Sequence, residues 1–179
     1  MQEQEAKRRA DNAQKAKAAA EIEFPGVKWN KVDDGIYQTS IRSDEELRNA
    51  RILCDLGSTV YFSPERSRQP GNKFDAIVDG LRYEFKNVGG NANTLQTHFL
   101  RSRSQAPNVF INLETSNLTR KEVMGALYNA RNSVTRIEPN GHTIKGYSDS
   151  NKFSGGKIIL KLKGRENLIY LNVDDLAAR

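Results

Sequence analysis

One cysteine, two histidines and one tryptophan are all that 179 residues contain of those three types. A single thiol, Cys54, excludes an internal disulfide and a cysteine-built zinc cluster. It falls on the apolar side of a predicted helix and reads as an inert core thiol. The two histidines, His98 and His142, leave only one pairing for a metal-independent ribonuclease of the two-histidine kind. No run approaches the ~18 apolar residues that a membrane-spanning helix needs, so no membrane partner is expected. The N-terminus is polar and charged and reads as carrying no signal peptide. Apolar residues make up only 37% of the chain, low for a compact globule, while its 179 residues are enough for one domain with a core and a tail. What is abundant is positive charge. The net of +6 favours a polyanionic partner.

The most informative stretch is Phe74 to Lys86, FDAIVDGLRYEFK. Asp79-Gly80 is a two-residue hairpin turn, because both central positions of a type I′ turn need positive φ. Counting outward pairs Val78 with Leu81, Ile77 with Arg82, Ala76 with Tyr83 and Asp75 with Glu84. Paired residues share a face of the sheet. Phe74, Ala76, Val78, Leu81, Tyr83 and Phe85 form a core face. Lys73, Asp75, Ile77, Arg82, Glu84 and Lys86 form the other. Two opposed carboxylates repel unless a cation sits between them. Mg²⁺ suits such a pair, since it takes oxygen ligands from one or two carboxylates together with water and phosphate. A lysine on the same face can then orient the attacking water. The alternative is a half-exposed hairpin whose polar face is solvated.

Residues 1–23 are strong helix formers with no apolar stripe beyond alanines, and read as a polar helical linker or the edge of a longer polypeptide. Residues 24–179 read as a single domain. Residues 27–42 form a turn-rich lead-in with one short strand. Ser43 opens a helix as its N-cap, with Glu46 completing a capping box, and Gly57 ends it. Glu46 borders the inward face of that helix, so it is both a cap and a candidate acidic site residue. A strand follows at Ser58–Phe62, then a basic loop, residues 65–72, whose Arg66 and Arg68 are candidate phosphate contacts. Thr94 to Ser104 reads as a helix with Leu95 and Phe99 inward and Arg101 and Arg103 outward, followed by Gln105. Arg101, Arg103 and Gln105 are further candidates for the nucleic-acid backbone, against a merely solvated basic face. Val109–Leu113 reads as a buried strand, and Thr119–Arg131 as an amphipathic helix with its own capping box at Glu122. Lys157–Lys163 is expected to be a strand with a lysine-bearing outer face, which either guards an edge or meets a polyanion. A last strand spans Leu168–Val173. The class is α/β (α+β), with a mixed central sheet flanked by helices.

The order helix, strand, Asp75, hairpin, Glu84-x-Lys86 resembles the PD-(D/E)xK nuclease superfamily. Glu46, Ala50, Leu53-Cys54, Gly57, Val60-Tyr61, Asp75 to Gly80, Glu84-x-Lys86 and Gln105 together look like the C-terminal nuclease domains of contact-dependent growth-inhibition and related polymorphic toxins. Phe74 stands where the naming proline would be, and that proline is not a ligand. The resemblance implies an αβββαβ core and a metal-dependent endonuclease in which Asp75 and Glu84 hold a divalent metal, Mg²⁺ first, with Mn²⁺ or Zn²⁺ as alternatives. Lys86 would assist the water and Glu46 would be a further acidic member. It also implies nucleic acid as substrate, RNA and tRNA ahead of DNA, and a cognate immunity protein, expected to be acidic. The domain would act in the cytoplasm of a target cell after delivery within a larger secreted, surface or phage-borne protein. Two rivals belong to other classes. One is a noncatalytic nucleic-acid-binding module; the other is the histidine ribonuclease.

Overall fold

The computed structural model describes residues 2–64, 74–133 and 155–176. Arg66, Arg68 and His142 lie outside the described residues. The chain forms two compact units, residues 1–83 and 84–179. The class is the expected mixture of α and β, with a mixed sheet.

The first unit begins with helix α1 (Gln2–Glu23) and strands β1 (Asn30–Asp33) and β2 (Ile36–Gln38). It continues with helix α2 (Asp44–Asp55) and strands β3 (Val60–Phe62) and β4 (Ala76–Val78), and it ends partway along β5 (Leu81–Asn87). The lead-in thus holds two strands rather than one, joined at Asp34-Gly35 with Gly35 at φ 76°. Strand order is β1-β2-β3-β4-β5, with β2 and β3 parallel and the other pairs antiparallel. Parallel pairing requires a crossover, and α2 supplies it. Ser43 and Glu46 form the predicted capping box at the start of α2. The hairpin forms as expected, with Asp79 at φ 51° and Gly80 at φ 91°. Its register is the counted one: Val78 with Leu81, Ile77 with Arg82 and Ala76 with Tyr83.

The alanines of α1 do more than extend a polar helix. Ala16 and Ala20 are fully buried where α1 meets β3 and β4, because small side chains let the backbones approach closely. Glu23 pairs with Arg82, which shares a face with Ile77. Ile77 is buried, so this part of the second hairpin face is covered rather than solvated. At the other end, α1 completes α2. Arg8 donates to the Leu56 carbonyl (2.9 Å), Arg9 to those of Cys54 (3.4 Å) and Asp55 (3.2 Å), and Asn12 to that of Gly57 (3.0 Å). Positive groups at a helix C-terminus satisfy its orphan carbonyls and complement its dipole. Cys54 is buried, and desolvation pushes its thiol up to about 12. That is the inert thiol expected.

The second unit holds the rest of β5, helix α3 (Ala92–Arg103), strand β6 (Asn108–Leu113), helix α4 (Arg120–Ser133), strands β7 (Lys157–Leu162) and β8 (Ile169–Asn172), and a 3-10 turn, Val173–Leu176. Strand order is β5-β6-β7-β8, with β6 and β7 parallel and β7 and β8 antiparallel. Every residue of β6 is buried, as its near-continuous apolar character predicts. Leu95, Phe99, Ile111, Leu127 and Leu160 centre the core. The lysine strand β7 does not guard an edge. It is paired on both sides, and Ile159 is buried with Ile158 and Leu160.

Candidate active site

Alternation along β5 sends Tyr83 and Phe85 to one face and Glu84 and Lys86 to the other. Phe85 is buried and meets Phe110 of β6 edge-on at 5.6 Å. That contact anchors the strand in the second unit. Glu84 is only 3% exposed, and Lys86 donates to its Oε1. The Lys86 ammonium also donates to Oε1 of Gln105 at 3.2 Å. Gln105 sits in the turn that closes α3, where its backbone N–H donates to the Ser102 carbonyl (2.9 Å). The Glu-x-Lys spacing and the later glutamine therefore converge on one ammonium group. His98 of α3 belongs to the same surroundings. Its pKa is lowered first by burial, then by the positive charges of Lys86 and Arg101.

The two arginines of α3 separate. Arg101 is exposed. Arg103 is buried, donates to the carbonyls of Pro107 and of Gly155 (3.0 Å), and is pushed down to about 10 by burial and by Arg131. It closes the start of β7 onto the end of α3 and does not face solvent, unlike the outward pair expected from the sequence.

In the first unit, Asp75 is the residue just before β4. Its N–H donates to the Tyr83 carbonyl (3.0 Å) and its carbonyl accepts from Ser63 N–H (2.9 Å). Glu46 is held twice. Its Oε2 accepts from the Ser43 N–H (3.0 Å) and hydroxyl (2.9 Å), and its Oε1 faces Nη1 of Arg42 at 3.4 Å. Arg42 also donates to the Ser63 carbonyl. Sequence reasoning missed Arg42; its one signal was a lone arginine directly before a capping box. Asp79 is accounted for by the turn. Its carboxylate accepts from Thr59 N–H at 2.7 Å, and its own N–H donates to the Thr59 carbonyl at 3.1 Å. Burial nonetheless raises its pKa.

Among the described residues, no three His, Cys, Asp or Glu side chains gather as a metal cluster. The donor set that the sequence nominates is smaller and all oxygen, Asp75 with Glu84. It fits Mg²⁺ or Mn²⁺, which accept one or two carboxylates and fill the rest with water and phosphate, better than a closed structural zinc site. No described helix is long and apolar enough to cross a membrane.

No family model matches the chain, and no curated protein matches it. Among solved structures it is similar to the CdiA-CT/CdiI toxin and immunity complex from Burkholderia pseudomallei. The identity is 21% and the TM-score 0.48, over 74% of this chain and 93% of that one.

Proposed function

We propose that the chain is a metal-dependent endonuclease of the toxin type that hydrolyses phosphodiester bonds in RNA, tRNA ahead of DNA. The observation that carries this reading is the buried Glu84 carboxylate joined to Lys86, with Gln105 holding the same ammonium. A purely structural strand gains little from burying an ion pair, because desolvation offsets most of the attraction. Asp75 is the partner carboxylate that the sequence nominates, by counting outward from the Asp79-Gly80 turn.

In this proposal Asp75 and Glu84 hold the cation, which would polarise the scissile phosphate and lower the pKa of water. Glu84 also holds the Lys86 ammonium in place. Gln105 fixes the direction of the Lys86 ammonium, which donates hydrogen bonds to the attacking water and to the oxygens on which charge builds. Arg101, exposed at the end of α3, meets the nucleic-acid backbone. Delivery within a larger protein to the cytoplasm of a target cell, and neutralisation by an acidic immunity protein, belong to the same reading. Charge complementarity to a chain of net +6 speeds that capture.

The test is cleavage of total tRNA, ribosomal RNA and plasmid DNA with Mg²⁺, with Mn²⁺ and with EDTA, beside Glu84→Gln and Lys86→Ala. Metal-dependent loss of tRNA that vanishes in both variants is the expected result. Cleavage that survives EDTA and is lost in His98→Ala would favour the histidine mechanism instead. His98 is held toward its neutral, base-competent form, so that alternative rests on an observation too.

A further inference from the structure

Arg42 is the most deeply buried charged group of the first unit that the proposed mechanism leaves unused. It is 8% exposed, and its guanidinium stacks over the Phe62 ring at 5.1 Å. One end of its fork reaches Glu46 Oε1 and the other the Ser63 carbonyl. Ser63 N–H in turn donates to the Asp75 carbonyl. We infer that Arg42 is a positioning residue: through one planar fork it sets Glu46 against the end of β3, and so against Asp75. The inference rests on the nuclease reading and deepens it.

Three features argue for positioning rather than for stability or substrate contact. A capping box needs one carboxylate oxygen, and Ser43 engages only Oε2 of Glu46. Among the described residues the second oxygen is oriented by Arg42, which is more than capping the helix demands. Arg42 also keeps a buried Nε, and Ser63 a buried hydroxyl, without hydrogen-bond partners among the described residues. A network built only for stability is expected to be fully satisfied, since each unpaired buried polar atom costs about 1–3 kcal/mol. Finally, an arginine side chain that is 5% exposed is too enclosed to be a backbone-phosphate contact. Arginine suits the task because its rigid fork spans two acceptors at once, which a lysine ammonium does not do.

Steady-state cleavage of the substrate identified above, by wild type, Arg42→Met, Arg42→Lys, Glu46→Gln, Arg42→Met/Glu46→Gln and Glu84→Gln, tests the inference, with circular dichroism to check folding. Misplacing an acidic group should lower kcat about 10- to 100-fold in Arg42→Met, while KM stays within about twofold because Arg42 does not touch substrate. Arg42→Lys should recover only part of the loss, and it carries the test if Arg42→Met does not fold. The double variant should lose less than the product of the single losses. A raised KM with unchanged kcat, multiplicative losses, or full activity in folded Arg42→Met and Arg42→Lys would each overturn the inference. If Glu84→Gln abolishes cleavage while the Arg42 variants do not, the inference alone fails. If Glu84→Gln cleaves like wild type, or nothing is cleaved, the nuclease reading fails and takes the inference with it.

Discussion

Replacing Lys86 by methionine removes the ammonium that pairs with Glu84, a carboxylate buried at 3% exposure. Removing one member of a buried ion pair costs about 3–5 kcal/mol, against a small or even favourable change when both charges go together. Lys86 is 20% exposed, so water replaces part of what Glu84 loses, and the low end of that range applies. We expect Lys86→Met to cost about 3 kcal/mol and Glu84→Gln less, because Lys86 can turn its ammonium to solvent. The double variant should fall within about 1 kcal/mol of wild type. The coupling free energy is then roughly 2 kcal/mol or more, well above the few tenths by which independent sites depart from additivity. Urea unfolding of the four proteins, followed by far-UV circular dichroism in the absence of divalent metal, measures it. Single losses that simply add, or a Lys86→Met variant within about 0.5 kcal/mol of wild type, would show that the pair is effectively solvated. The chemical argument built on its burial would then go with it.

Asp79 has its pKa raised by burial, so its ionised form costs stability above the folded pKa, and the cost disappears as pH falls below the unfolded value of about 4. Asp79→Asn keeps an acceptor for Thr59 N–H and tolerates φ 51°. Its Tm should therefore exceed that of wild type at pH 7, with the gap closing toward pH 4; a gap that widens on acidification refutes this. The His98 ring should titrate by NMR below the usual value of about 6.5 and move up in Lys86→Met, since one of the charges holding it down is gone. No movement would mean that Lys86 does not act on it. Ala20→Glu should cost about 3 kcal/mol by burying a carboxylate between α1 and the strands, whereas exposed Ala18→Glu should stay within about 0.5 kcal/mol. Equal effects of the two would mean that α1 does not pack.

Local chemistry made the hairpin legible. Asp79-Gly80 fixes the turn, the turn fixes the register, and the register separates the faces of both strands without reference to the rest of the chain. The capping boxes at Ser43 and Thr119 were legible for the same reason, because donor and acceptor lie three residues apart. What could not be read depends on partners distant in sequence. Ile77 sits in the polar set by alternation, yet α1 covers it from more than fifty positions away. Arg103 looks like its neighbour Arg101 until Pro107 and Gly155 claim it. Lysines on β7 look like edge guards until β6 and β8 pair on its two sides. Of the candidate site, the Glu84, Lys86 and Gln105 grouping was suggested by family resemblance, and Arg42 by nothing short of its contacts.

The capping of α2 by α1 also bears on the order in which the first unit can assemble. An isolated polar helix pays the full cost of nucleation and gains little from its own side chains. Arg8, Arg9 and Asn12 find their carbonyl partners only across 45 to 48 positions of sequence. Helix α1 is therefore among the last elements of the first unit to be fixed, because its acceptors do not exist until α2 has formed and stopped. Loop closure of that span slows the step more than it weakens the product. Every refolding of the first unit repeats that wait, because the carbonyls at the end of α2 must be remade before α1 can dock on them.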